Sequence, residues 1–564
     1  MRLAPLLACL LLAPAAAGDW ASFHGDDRNT GFASGTAYGV PAETWWTVKA
    51  EGDAQAKASP ILKDHLLLTA SAAGLVQALD SRTGKELWRH QMDAGVEGTG
   101  AIAGERAYVV DKAGNLKALN LRDGRVEHTA SVGATLGSIT EHEGKLFVGN
   151  EAGELRAYLA STLTLLWTFK LTEIRLTATF ATATGWTCTN PVAAMPIRGA
   201  PAVFGGKVFF GALNHYVVAL AEDGNGDGKT NIRWIHKTDD IVVGAPTIAT
   251  HQGTTRVVVG SYDGYVRGYL ATASGEGNNP CNGAFHTPDW SFQAPDPVGD
   301  STARGAKVHS SPANSGDRVF VGTNTGRVYA LNTGDGTKVW ETVAGSNLEP
   351  VTSSPAIANG IVTVGSEDKR VYWIAASNGT ILRTVETPAA VSTSPAIDGS
   401  MAFVAATDGT LYAFGPVRPK QADLHPADGK LTTTLLWLNV RNSGEAASAP
   451  TKLTYTRDGQ PWLSLDIPAL QPGAETRLER TVDEQPTTNH YVLAIDPDNL
   501  VPEKDEANNI VEFDYTIEVG IPPATTTPAS SSSSDDSFDI PAPWAGLAVV
   551  ALLAAAGMAR PRRR

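Results

Sequence analysis

Apolar positions in the central part of this chain follow two superposed periods. Within short runs they alternate with polar ones, as in Arg318-Val319-Phe320-Val321-Gly322 and Arg327-Val328-Tyr329-Ala330-Leu331, which predicts strands with one buried face. The runs themselves recur at a period of about forty residues, eight times between Ser59 and Lys420. The clearest copy, SSPANSGDRVFVGTNTGRVYALNTGDGTKVW, runs from Ser310 to Trp340. Each copy has Ser-Pro or Ala-Pro, a strand ending near Gly, a strand ending in Ala-Leu or Tyr-Leu, a Gly turn and often Trp. Short alternating strands repeated at this spacing predict an eight-bladed β-propeller.

The turn has a physical reading in Ala78-Leu79-Asp80-Ser81-Arg82-Thr83-Gly84-Lys85-Glu86-Leu87-Trp88. Gly supplies the positive φ of a tight hairpin, small Ala leaves room for the neighbouring blade, and Trp fills the gap between blades. Trp167, Trp234, Trp290 and Trp340 are equivalent, with His128 and Arg383 in that slot in copies two and seven. Copy eight lacks an outer strand. Thr44-Trp45-Trp46-Thr47-Val48 has the pattern of one and is expected to complete that blade, removing its free edge.

From Ala422 to Val519 alternation continues without the period, in strands spaced by Gly, Pro and Asn turns, which predicts an immunoglobulin-like β-sandwich. Residues 1–17 read as a secretory signal and 520–541 as a Pro, Thr, Ser and Asp stalk. Within 542–564, the 17 uncharged residues Pro543 to Ala559 precede an Arg cluster, which predicts a C-terminal transmembrane helix that holds the body outside the membrane. The expected organisation is therefore all-β, with the propeller at 18–420, the sandwich at 421–519, and a C-terminal anchor.

Charge narrows the partner. With 59 acidic against 45 basic residues, a net charge of −14 argues against nucleic acid. The reading is of a non-catalytic binding or scaffold protein at the cell surface, with a protein or glycan partner; the oligomeric state is left open. Positions just before each inner strand should ring one mouth of the channel: Lys57, Glu97, Leu136, Arg198, Val243, His309, Thr352 and Ser392. The charged members Lys57, Glu97, Arg198 and His309 are the candidate ligand contacts, the alternative being solvated residues at a wet pore.

Two insertions break the period, Leu171 to Pro196 and Thr272 to Pro288. Long loops on a rigid scaffold often carry binding. Each holds one cysteine, and two thiols in an exported protein usually pair, so a Cys188–Cys281 disulfide is expected. Asp223-Gly224-Asn225-Gly226-Asp227-Gly228 matches the first half of a calcium loop, and Asp223, Asn225, Asp227 and Asn231 are the candidate Ca²⁺ ligands. Trp234 stands where the closing Glu would be, and a Gly-rich hairpin with solvated acids is the competing reading.

The repeat, with its opening Asp19-Trp20-Ala21-Ser22-Phe23-His24-Gly25, resembles the pyrroloquinoline-quinone-type propeller family over residues 19–420. That family includes Ca²⁺-dependent quinoprotein dehydrogenases as well as exported binding proteins without cofactor. The resemblance implies for the enzymes a Trp floor, an adjacent-cysteine disulfide and a Glu, Asn and Asp set. This chain has no adjacent cysteines, its Trp residues fall mostly at packing positions, and no such set carries over, so pyrroloquinoline quinone is not expected. A surface dehydrogenase is the alternative, and an envelope assembly factor the second.

Val440-Arg441-Asn442-Ser443-Gly444, Leu470-Gln471-Pro472-Gly473 and Asp496-Pro497-Asp498-Asn499, with Glu506-Ala507-Asn508-Asn509, resemble the cell-adhesion-related CARDB family. The resemblance implies an adhesion module or a spacer. The C-terminus resembles the tripartite signals of surface proteins processed by sortase-like enzymes, although Pro541-Ala542-Pro543-Trp544 replaces their motif.

Overall fold

The computed structural model describes residues 20–33, 38–49, 55–181, 185–273, 284–295, 306–345, 349–417, 422–432, 435–483, 488–497, 501 and 509–516, without the side chains of 175–190, 284, 513, 515 and 516. The C-terminal helix expected in 542–564, the signal at 1–17 and the stalk lie outside them. Among the described residues no helix is long and apolar enough to cross a membrane. The chain divides into two compact units between Arg418 and Pro419.

Among the described residues the first unit holds eight sheets of four antiparallel strands in chain order, two of them extended by a short parallel strand, and a separate two-stranded hairpin. The first is formed by Ile61–Lys63, Leu66–Ala70, Leu75–Asp80 and Glu86–Gln91. In the eighth, Ala396–Asp398, Met401–Ala405 and Thr410–Gly415 are completed by Glu43–Lys49, which pairs antiparallel to Thr410–Gly415 with Trp46 opposite Ala413. The N-terminal strand thus fills the missing edge. Ala396–Asp398 in turn contacts Ile61–Lys63, bringing the last sheet against the first, as blades of a propeller meet.

Blades share one device. In every blade but the fifth the outer and third strands shift register once, so that Ala78 faces Trp88, Ala157 faces Trp167 and Ala330 faces Trp340, each beside a bulge. The bulge re-aims the strand, and the indole reaches the next blade. Trp88 donates its N–H to the Leu121 carbonyl, Trp167 to Glu222, Trp290 to Thr333, Trp340 to Ala376 and Trp46 to Ser81. Arg383, in the Trp slot of blade seven, instead donates to the carbonyls of Pro41 and Ala42. These tryptophans therefore tie as well as fill.

The described parts of both insertions contain strands. After a 3-10 turn at Leu171–Glu173 the first forms a hairpin of Arg175–Ala181 and Gly185–Pro191. The second returns as Ala284–Phe285 and adds a parallel strand to the outer edge of blade four, with Ala284 opposite Trp234. Cys188 lies on the first hairpin opposite Ala178. Cys281 lies outside the described residues, and so does the expected disulfide.

The second unit packs a three-stranded sheet, Leu424–Leu431, Leu435–Asn442 and Glu475–Thr481, with a four-stranded one, Gln460–Ile467, Thr451–Arg457, Thr488–Ile495 and Ile510–Thr516. Leu438, Val440, Leu453, Tyr455 and Tyr491 form the core between them. Asn442 is fully buried and spends its amide on structure: it donates to Ala446 and Leu470 carbonyls and accepts from the N–H groups of Asp423 and Gly444.

Candidate functional site

Lys57, Glu97, Arg198 and His309 all line one cavity of about 170 Å³, together with Val243, Thr352 and Ser392 of the same expected ring. Leu136 is not among its lining residues. The charges are mostly spoken for. Arg198 makes a two-pronged pair with Glu151 at 3.0 and 2.8 Å, and Lys112 approaches Glu97 at 3.3 Å. The His309 ring bonds the Tyr262 hydroxyl through Nδ1 at 2.8 Å, and burial pushes its pKa down, which favours the neutral ring. Lys57 is exposed and has no ion-pair partner among the described residues.

Below the charges lies a layer that the residue pattern did not announce. The backbone N–H of Ser59 in blade one donates to the Thr99 hydroxyl of blade two at 3.0 Å, and Thr99 N–H donates to Ser138 of blade three at 3.0 Å. Across the ring, Ala245 N–H donates to Ser311, Ser311 to Ser354, Ser354 to Ser394, and Ser394 back to Ser59, at 2.8 to 3.1 Å. Each hydroxyl therefore stitches one blade to the one before it. The adjacent hydroxyl in the same motif serves its own blade: Ser353 accepts from Gly365 N–H, and Thr393 donates to Ala405. Two hydroxyls before Pro thus have different duties. Blades four and five carry Ala200 and Ala245 instead, and there Asn29 donates to the carbonyls of Ala200, Pro201 and Pro246.

Asn29 belongs to a strap formed by the residues ahead of the first blade. Trp20 pairs with Leu62 of blade one, and the Ala21 carbonyl accepts from Ile102 of blade two. Asp27 meets His142 of blade three, and its carbonyl accepts from Val203 of blade four; the carbonyls of Arg28, Thr30 and Gly31 accept from Ile248, Asn314 and Ile357 of blades five, six and seven. The chain then enters blade eight as Glu43–Lys49. The strap meets every blade in order and satisfies N–H groups on the channel-side edges of inner strands, which would otherwise be open.

Phe23 lines the 170 Å³ cavity, whereas Ser22, Gly25, Asp26 and Asp27 line a second cavity of about 350 Å³. The strap therefore lies between the two. Its sharp turns use Gly25 at φ 87° and Gly31 at φ 63°. A Cβ at Gly31 would fall 2.8 Å from the Pro355 carbonyl oxygen, so the close approach also requires glycine. His24 is fully buried, stacked on Phe23 with centroids 4.5 Å apart, and its Nδ1 donates to the Asn29 carbonyl. The available signal was the turn-rich run Ser22 to Gly31, which breaks alternation ahead of the first strand.

The calcium loop behaves as a hairpin. Asn225 and Asn231 exchange amide hydrogen bonds at 3.2 and 2.9 Å, Lys145 Nζ sits 2.7 Å from Asp223 Oδ1, and Asp227 accepts the Lys229 N–H. Amide oxygens turned to amide N–H groups and a carboxylate held by an ammonium do not form a cation shell, and among the described residues no group of three acids, histidines or cysteines converges on a metal position. The donor set as arranged does not fit Ca²⁺. Among the described residues that line the mouth cavity there is no indole. In the sandwich, Asp496 accepts from the Thr451 hydroxyl and from Val501 N–H, a turn role; residues 502–508 of that motif lie outside the described residues.

Eight such sheets, five of them tied to the next by an outer indole, define the chain's first unit as a repeat β-propeller. Profile comparison makes this specific: segments 36–173, 131–416 and 334–452 match the family described as outer membrane protein assembly factor BamB, and the chain belongs to that family. Residues 428–513 match CARDB. The outer membrane protein assembly factor BamB of Yersinia pestis is 23% identical over 392 residues, covering 66% of this chain and 88% of that protein. The crystal structure of BamB from Moraxella catarrhalis superposes with a TM-score of 0.47 at 17% identity, over 66% of this chain and 97% of its own. Quinohemoprotein alcohol dehydrogenase from Comamonas testosteroni reaches 0.54 at 14% identity, over 71% and 80%. At that identity the likeness is one of fold.

Proposed function

We propose that this protein is an exported, non-catalytic scaffold of the cell envelope that binds a protein partner at the mouth of its propeller. The observation that carries the reading is the strap. Its Phe23 lines the mouth cavity, where a cofactor-bearing channel would need open depth, and the surrounding charges and hydroxyls offer groups for recognition. The CARDB sandwich serves as spacer, and the apolar stretch Pro543 to Ala559 with its Arg tail as the anchor. Membership in the BamB family favours a protein over a glycan as partner and supports, as a second reading, a role in assembling other envelope proteins.

A photoreactive residue introduced at Lys57, with Thr384 on the outer strand of blade seven as control, tests the reading in intact cells. A discrete adduct from position 57 and none from 384 is expected. Absence of adducts from every mouth position, or quinone-dependent oxidation of alcohols by the purified chain with Ca²⁺, would overturn it.

A further inference from the structure

The hydroxyl layer holds more donor capacity than the protein uses. A Ser or Thr hydroxyl has one proton to give and two lone pairs. At Ser59, Thr99, Ser138, Ser311, Ser354 and Ser394 one lone pair takes a neighbouring backbone N–H, and among the described residues none of the six O–H protons has an acceptor. All six line the mouth cavity, where their protons are available to an incoming ligand. They come from consecutive blades, six, seven, eight, one, two and three, and so form one arc. The gap in the arc, at Ala200 and Ala245, is closed by the Asn29 amide bonded to backbone carbonyls.

Donors without acceptors select a ligand that only accepts. A carboxylate offers two oxygens and about four lone-pair sites and no proton of its own, so it can take several of these donors at once. Charge points the same way. Of the charged cavity residues, Lys57 and Arg198 are cationic against Glu97 alone, with His309 held neutral by burial. Arg198 and Glu97 are each paired with a neighbour, so Lys57 is left to meet an incoming anion.

We propose that the mouth is a carboxylate site, filled by a small organic acid or by an Asp or Glu side chain of the protein partner. This rests on the scaffold reading above and names the chemistry of its recognition. Calorimetric titration of the full chain with citrate, with an end-blocked Gly-Gly-Glu-Gly-Gly peptide, with its Gln counterpart and with glucose tests it. Saturable binding of citrate identifies a free acid, and binding of the Glu peptide identifies a protein side chain; the Gln peptide and glucose are expected to bind at least about tenfold more weakly. Lys57→Gln, on an exposed side chain, and Ser354→Ala should each weaken the carboxylate by roughly tenfold, with Ser354→Thr restoring it. No carboxylate binding, or equal binding of the Glu and Gln peptides, would sink the proposal. A protein adduct from position 57 that forms equally well in the presence of excess citrate would do so as well, while leaving the scaffold reading intact.

Discussion

The Trp88 indole of blade one lies on Gly124 of blade two so closely that a Cβ on that glycine would fall 2.4 Å from indole Cε3. The same relation recurs between Trp46 and Gly84, Trp290 and Gly336, and Trp340 and Gly379. The turn glycine is thus required twice, once by its positive φ and once by the neighbouring blade.

Gly124→Ala is therefore expected to cost more than backbone strain alone. With φ at 68° and the indole unable to retreat from its hydrogen bond to Leu121, a loss of about 2–4 kcal/mol is expected. Urea unfolding measures it. Gly104→Ala, at φ 56° with nothing within 4 Å of its Cβ, should cost only the strain, about 1–2 kcal/mol.

His24 makes strap docking sensitive to acid. Burial holds its pKa at about 4 against 6.5 for the free side chain. The unfolded chain then binds the extra proton first, so stability present above pH 6.5 is lost as pH falls from 6.5 to 4, with nothing further lost below. The full difference is roughly 3 kcal/mol. Urea midpoints across that range should fall more steeply for the natural chain than for His24→Gln, and parallel curves would refute the assignment.

Asn442→Ala should weaken the sandwich by about 2–4 kcal/mol, because two buried N–H groups and two carbonyls lose their partner together. Thermal unfolding followed by near-ultraviolet circular dichroism should place the loss in the transition that carries Trp462 and Tyr491, with the propeller transition unmoved.

Chelation is expected to leave the melting temperature of the natural chain unchanged within a degree or so, because Asp223 already bonds Lys145 and the two Asn amides bond one another. A drop of several degrees on adding a chelator, reversed by Ca²⁺, would show that the loop rearranges around the ion.

Much of the fold could be read from the chain because it is local. Alternation sets each strand, and Gly with the following Trp sets each turn and outer strand. The closing strand at Thr44 to Val48 was visible as a blade edge without a blade. The ring positions Lys57, Glu97, Arg198 and His309 were found by repeat arithmetic, and they do share a cavity. The insertions were less legible: Arg175–Ala181 and Gly185–Pro191 read as an Ala- and Thr-rich loop, though they form a hairpin. The Ca²⁺ match was a matter of spacing, which does not reveal that Lys145, 78 residues earlier, reaches Asp223.

Strand period, turn chemistry and the acidic balance are written in residues adjacent along the chain, and no partner is needed to read them. The strap and the hydroxyl arc are not. Asn29 meets Pro246 across 217 residues, and Ser394 meets Ser59 across 335. Before the blades close, serine and alanine at these repeat positions are equally small residues ahead of a strand. Only once the first and last blades meet does each backbone N–H acquire one neighbouring oxygen, and only then does the channel have an edge for the strap to cover.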